Sequence, residues 1–116
     1  MNQDFVERRE DKRYTVLSKL VVLSPLKDLC LPLNISRGGL AIKCSGDNYH
    51  IIPSPWSVDI LLKRGNFHAY IPMRLVWEKN VYHSYYPNVL GLQFEQLSET
   101  NRSKVEHLIK LHKDNI

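Results

Sequence analysis

From Tyr14 to Glu95 the chain is a succession of short segments rich in β-branched and aromatic residues, each closed by turn-forming residues after roughly 8–12 positions. That rhythm is too short for helices and too regular for a disordered tract. It points to a small antiparallel barrel or sandwich. Tyr14 to Leu23 reads as the first strand, ending at Ser24-Pro25, and Asp28 to Leu33 as the second. Asn34 to Gly39 reads as a loop punctuated by Gly38-Gly39, and Leu40, Ile42 and Cys44 then share one face. Ser45 to Asn48 turns the chain, Val58, Ile60 and Leu62 alternate, and Arg64-Gly65-Asn66 is a hairpin connection. Phe67 to Glu78 and Asn88 to Glu95 are the last two strands. Simple alternation points Met73, Leu75 and Trp77 inward from one, and Leu90, Leu92 and Phe94 from the other.

Beyond Ser98 the period changes. Val105, Leu108, Ile109 and His112 recur at helical spacing, and Ser98 or Thr100 offers a cap, so residues 99–113 are predicted to form an amphipathic helix over an open end or edge of the sheet. At 116 residues with 43% apolar content the chain is one domain with a sizeable core. The expected fold is mainly β: a six- to seven-stranded antiparallel barrel or sandwich over 14–116, preceded by a polar arm at 1–13 and closed by the helix.

Several function classes drop out. The longest apolar run, Leu20 to Leu23, is far below the ~20 residues of a membrane helix, and the charged start MNQDFVERRE has no apolar secretory segment. A cytoplasmic location without membrane insertion is expected. The two cysteines, Cys30 and Cys44, are accordingly expected as reduced core or half-buried thiols. Neither they nor the five histidines have metal-ligand spacing, and no nucleophile elbow, phosphate loop or dinucleotide fingerprint occurs. No enzyme, metal site or cofactor is predicted.

The net charge is +4, yet residues 1–13 carry four charges of each sign, so the arm is no polybasic nucleic-acid tail. It holds Arg8, Arg9 and Arg13. The four-residue spacing of Arg9 and Arg13 puts both guanidinium groups on one side of a helix or an extended arm, aimed at one polyanionic or guanine-bearing partner. Loose pairing with Glu7, Glu10 and Asp11 is the bland alternative. A second motif, Asn34-Ile35-Ser36-Arg37-Gly38-Gly39, presents two short polar side chains two residues apart beside a glycine that admits close approach. An ordinary Asx or Ser turn with a glycine at positive φ is the alternative.

The two motifs, in this order and about 20 residues apart, resemble the PilZ domain family. Its signature is Arg-x-x-x-Arg in an N-terminal arm, then Asp/Asn-x-Ser-x-x-Gly between early strands. Arg9 and Arg13, then Asn34, Ser36 and Gly39, match it, and Leu90-Gly91-Leu92-Gln93-Phe94 is similar to the family's late strand. The resemblance spans about residues 5–113 and implies a PilZ-type barrel that binds cyclic di-GMP without catalysis. It places Arg9 and Arg13 on phosphates and guanine edges, Asn34 and Ser36 on a guanine edge, and Gly39 where the ligand needs room. Asn34 stands where the family more often has Asp, and a neutral amide is the weaker acceptor for guanine N–H groups. Trp77 is either a core residue or a surface ring stacked on a guanine. Arg8, when not paired with Glu7, caps a second, intercalated ligand molecule, giving two per chain. The ligand is expected to order the arm across the barrel and so alter a surface read by an effector protein, regulating a process such as motility, exopolysaccharide or biofilm formation. The alternatives are a PilZ-like interaction module that binds no nucleotide and, with less support, a single-stranded nucleic-acid barrel.

Overall fold

The computed structural model describes residues 14–15, 21–23, 28–52 and 57–114. The arm 1–13, with Arg8, Arg9 and Arg13, lies outside the described residues, as does Trp56. Seven strands run β1 (Tyr14–Thr15), β2 (Val21–Leu23), β3 (Cys30–Ile35), β4 (Gly39–Cys44), β5 (Ser57–Arg64), β6 (Phe67–Asn80) and β7 (Asn88–Phe94). One helix, α1 (Glu99–Asp114), follows, and a short 3-10 turn covers Asn48–Ile51. All pairings are antiparallel. The five longer strands form a curled sheet in the order β3-β4-β7-β6-β5, and short β2 bridges its two margins by pairing with both β5 and β3. The expected antiparallel barrel is therefore present.

Strand boundaries differ from the expected ones where tertiary pairing decides them. Of the single strand expected over Tyr14–Leu23, the described residues form β1 and β2, whose partners differ: β1 lies on the far end of β3, and β2 is shared between β3 and β5. β3 runs on through Asn34 and Ile35, which the sequence suggested were loop, since both pair with β1 on one side and β4 on the other. β5 and β6 join through Gly65-Asn66, with Gly65 at φ 60°, the left-handed conformation that a two-residue hairpin requires of its first turn residue.

The inward faces meet in one core. Ile35, Leu40, Ile42, Ile60, Leu62, Ile71, Met73 and Leu90 are among its fully buried side chains. α1 contributes Val105, Leu108 and Ile109, as its spacing predicted, and lies against β1 and β6. Its first turn is capped by Ser98, whose Oγ accepts the Asn101 N–H at 3.1 Å. Asn101 in turn donates to the Tyr70 carbonyl at 3.0 Å, pinning the helix to β6. This helix, the only one of its length among the described residues, is not long and apolar enough to cross a membrane.

Cys30 and Cys44 correct one expectation. They stand directly opposite each other in β3 and β4, Cα atoms 4.2 Å apart, and are joined as a disulfide instead of remaining two reduced thiols. Nothing in a separation of 14 residues announces this. The β3–β4 hairpin register creates the contact, on the inward face where both residues are buried.

At the same end of the barrel the Tyr49 phenol is buried and its pKa is pushed up to about 12. Burial is the main cause. The Glu78 carboxylate adds to it by its charge and by accepting the phenol's hydrogen bond. Folding thus favours the protonated phenol, so its contribution to stability is complete below about pH 10 and is lost as pH rises from 10 towards 12. Tyrosinate absorbance should show one phenol ionising late, together with unfolding, and Tyr49→Phe should flatten the alkaline fall in stability.

Candidate functional site

Two β-bulges decide which side chains face outward. In β3 the pairing with β4 shifts between Pro32 and Asn34, leaving Leu33 as the extra residue. In β6 the pairing with β7 shifts between Leu75 and Trp77, leaving Val76 as the extra residue. Each insertion reverses the inside–outside alternation beyond it. Met73 and Leu75 point towards the core, but Trp77, two residues further on, does not. It stands opposite Gly91 on the outer face, 41% exposed, and the core reading of Trp77 is thereby excluded.

Following the register across the sheet places four residues in one outward row: Asn34 opposite Ala41, Ala41 opposite Gly91, and Gly91 opposite Trp77. Three strand spacings separate Asn34 from Trp77, about 14 Å. Between them the floor carries nothing larger than a methyl group. The Trp77 ring lies across Gly91, where a Cβ would overlap its Cε2 and Nε1 atoms. The row is thus a low floor with an amide at one end and an indole at the other, its Ala41 only 2% exposed and its Gly91 covered by the Trp77 ring. Gly91→Ala should evict the ring from this position, read as a changed tryptophan emission, while the fold survives because Trp77 is partly exposed and able to move.

The turn between β3 and β4 is tightly held. The Ser36 N–H donates to the Gly39 carbonyl at 2.9 Å, and Ser36 Oγ accepts the Gly38 N–H at 3.2 Å. The Phe94 N–H donates to the Gly38 carbonyl at 2.9 Å, tying the turn to β7. The local Ser turn is therefore real, but neither Gly38 nor Gly39 has a positive φ. Ser36 is only 5% exposed, so its hydroxyl is fixed in place just beyond Asn34. Gly39 has a different constraint: a Cβ there would run into the Leu92 carbonyl of β7. Its missing side chain is what lets β4 lie close to β7.

Arg37 leaves the turn and pairs with Glu106 of α1 through Nε at 2.9 Å, an exposed contact worth little energy. Sequence reasoning missed two cations. Two residues along from this row, Lys79 stands opposite Val89 and Val89 opposite Lys43, so both lysines border the same outer face. The alternation of β4 already set Lys43 apart from Leu40, Ile42 and Cys44. Lys79 was hidden by the Val76 bulge.

The structure thus brings Asn34, Ser36, Gly39 and Trp77 to one side of the barrel. The PilZ domain model matches residues 7–111, a range that includes Arg8, Arg9 and Arg13. Comparison with curated protein sequences gives no match. Among the solved structures that share the fold are the following three. The PilZ domain of YcgR from Escherichia coli, solved with c-di-GMP, is 15% identical at a TM-score of 0.71, with 93% of each chain covered. The K. pneumonia MrkH–c-di-GMP complex is 17% identical at a TM-score of 0.75, covering 94% of this chain and 56% of that one. The Bacillus subtilis inhibitor of motility, MotI/DgrA, is 14% identical at a TM-score of 0.67, covering 92% and 52%. This chain therefore spans about half the length of the latter two. With a family match over nearly the whole sequence and the barrel in place, the chain belongs to the PilZ domain family.

Proposed function

We propose that the chain is a non-catalytic receptor for cyclic di-GMP that acts as an adaptor. The observation that carries the reading is the outward row from Asn34 to Trp77 beside the locked Ser36 turn. A flat floor bordered by an amide, a hydroxyl and an indole suits a guanine, whose edge takes hydrogen bonds and whose face stacks. Lys43 and Lys79 along the same face suit phosphate. Two of the neighbouring folds, YcgR and MrkH, are described as c-di-GMP complexes. In this reading residues 1–13 act as the ligand-binding arm: Arg9 and Arg13 grip phosphates and guanine edges, and the ligand fixes the arm against the barrel formed by 14–116. The rearranged surface is then read by an effector protein in a process such as motility or biofilm formation.

Calorimetric titration of the full chain with cyclic di-GMP tests this. Saturable heat supports it. No heat from folded protein overturns it and leaves a PilZ-like interaction module. Quenching of tryptophan emission should survive Trp56→Phe and vanish in Trp77→Phe; the reverse pattern removes Trp77 from the site.

The stoichiometry follows from Arg8. Two intercalated ligand molecules gather four phosphate charges and expose an outer guanine face, which a guanidinium both neutralises and caps by stacking. Arg8 points away from Arg9 in an extended arm and so reaches the far guanine. The expected titration endpoint is two ligands per chain, falling towards one in Arg8→Leu or Arg8→Ala with binding retained. A wild-type endpoint of one, unchanged in the variant, refutes the doubled ligand and leaves the receptor reading standing.

A further inference from the structure

Of the seven large apolar side chains exposed among the described residues, five lie between Val76 and Tyr85. They run from Val76 and Trp77 on β6 through Val81 to Tyr82 and Tyr85, which are 83% and 91% exposed in the loop joining β6 to β7. A single exposed tyrosine needs no explanation, but a run of this kind at the end of a protruding hairpin does.

The loop is a built feature. The Val81 N–H donates to the Pro87 carbonyl at 2.7 Å, and Asn80 Nδ2 donates to Asn88 Oδ1 at 2.6 Å, closing its neck. The Tyr86 N–H donates to Ser84 Oγ at 3.0 Å, and His83 holds a left-handed φ of 65°. The Lys43 ammonium sits 4.9 Å from the centre of the Tyr86 ring, bracing the base. These contacts hold the main chain that carries Tyr82 and Tyr85, whose rings stand free in solvent, and a tyrosine with only two side-chain torsions loses little conformational freedom on docking.

The charge at the neck indicates the kind of partner. Lys79 and Lys43 flank Val89 on the outer face beneath the tip. The nearest acid along β6, Glu78, is already engaged by the His50 imidazole at 3.5 Å and by the Tyr49 phenol. On the outer face next to Val89 the charged side chains are thus Lys43 and Lys79, while Asp28 and Asp47 belong to the neighbouring turn, where Asp28 is bound to Asn48. Two lysines fall short of the 4–8 basic residues of an anionic-lipid site, and tyrosines without leucine or phenylalanine suit a protein surface better than a bilayer.

We infer that the β6–β7 hairpin tip, residues 81–87 with Lys79 and Lys43 behind it, is the docking surface for a partner protein bearing an acidic segment with an apolar anchor. This deepens the adaptor reading by placing the partner's site. Because the tip is four residues from Trp77, a ligand on the Asn34–Trp77 row and a partner on the tip would be neighbours.

The test uses the full chain without nucleotide, so it fails or succeeds apart from the receptor reading. A random peptide library displayed on phage is selected against the chain, and selected peptides are then titrated. Peptides combining acidic residues with an aromatic or aliphatic anchor are expected, with affinity falling about tenfold or more in Tyr82→Ser/Tyr85→Ser. Lys79→Glu should weaken them further, and Tyr70→Ser, an exposed tyrosine elsewhere on β6, should leave them unchanged. Both tyrosines are exposed, so the variants keep their fold, checked by an unchanged melting curve. Selected peptides indifferent to the tip substitutions, or no selected peptides, overturn the inference. So does tip-dependent binding instead to phosphatidylcholine–phosphatidylserine vesicles or to a single-stranded thymidine oligonucleotide.

Discussion

Gly39→Ala is expected to destabilise the unliganded protein by roughly 3 kcal/mol, lowering its melting temperature by about 10–15 °C. The added methyl group has no room to enter. It meets the Leu92 carbonyl, a main-chain atom held in the β4–β7 ladder, so relief requires the two strands to part. The separation would propagate to Phe94, whose N–H is bonded to the Gly38 carbonyl, and to the buried Leu92 and Leu40 side chains. Thermal unfolding without ligand checks this. If stability is unchanged, the requirement for glycine at this position lies with the ligand alone. The same residue sits in the Asn-x-Ser-x-x-Gly motif, so a binding defect in a Gly39 variant carries no information about contact until its fold has been measured.

Arg9→Ala and Arg13→Ala should each weaken cyclic di-GMP binding by on the order of 10- to 100-fold, with little change in the melting temperature of the free protein. A guanidinium facing a phosphate or a guanine edge makes paired, charge-assisted hydrogen bonds, and its removal leaves ligand acceptors desolvated and unpaired, about 1.5–3 kcal/mol for each such bond. Lysine at either position should restore only part of the loss, since an ammonium supplies charge without the planar fork. Calorimetry of the two variants beside Arg8→Ala separates gripping from capping: the first two lower affinity, the third lowers the number of ligands bound. Wild-type affinity in both Arg9→Ala and Arg13→Ala would remove the arm from the site. Raised salt should weaken binding in the wild type more than in either variant, because fewer charges remain to be screened.

How far the sequence reached can be judged from particular residues. The strand rhythm, the Gly65-Asn66 hairpin, the inward Leu90, Leu92 and Phe94, and the switch to helical spacing at Val105, Leu108 and Ile109 were all legible, because each depends on near neighbours in the chain. So was the motif pair that resembles the PilZ family, since it consists of residue types at fixed spacing. The faces of Asn34 and Trp77 were not legible. Strict alternation continues through Leu33 and Val76 and would turn Trp77 inward; the extra residue at each bulge exists only relative to a partner strand, so no local pattern reveals it. The Cys30–Cys44 bond and the Asn34–Ala41–Gly91–Trp77 row have the same origin. Local spacing determined which residues form strands, turns and helix. Cross-strand register, set by the closing of the barrel, decided which of them meet and which face the solvent. That register is a property of pairs of strands distant in sequence, and it became visible only in the folded chain.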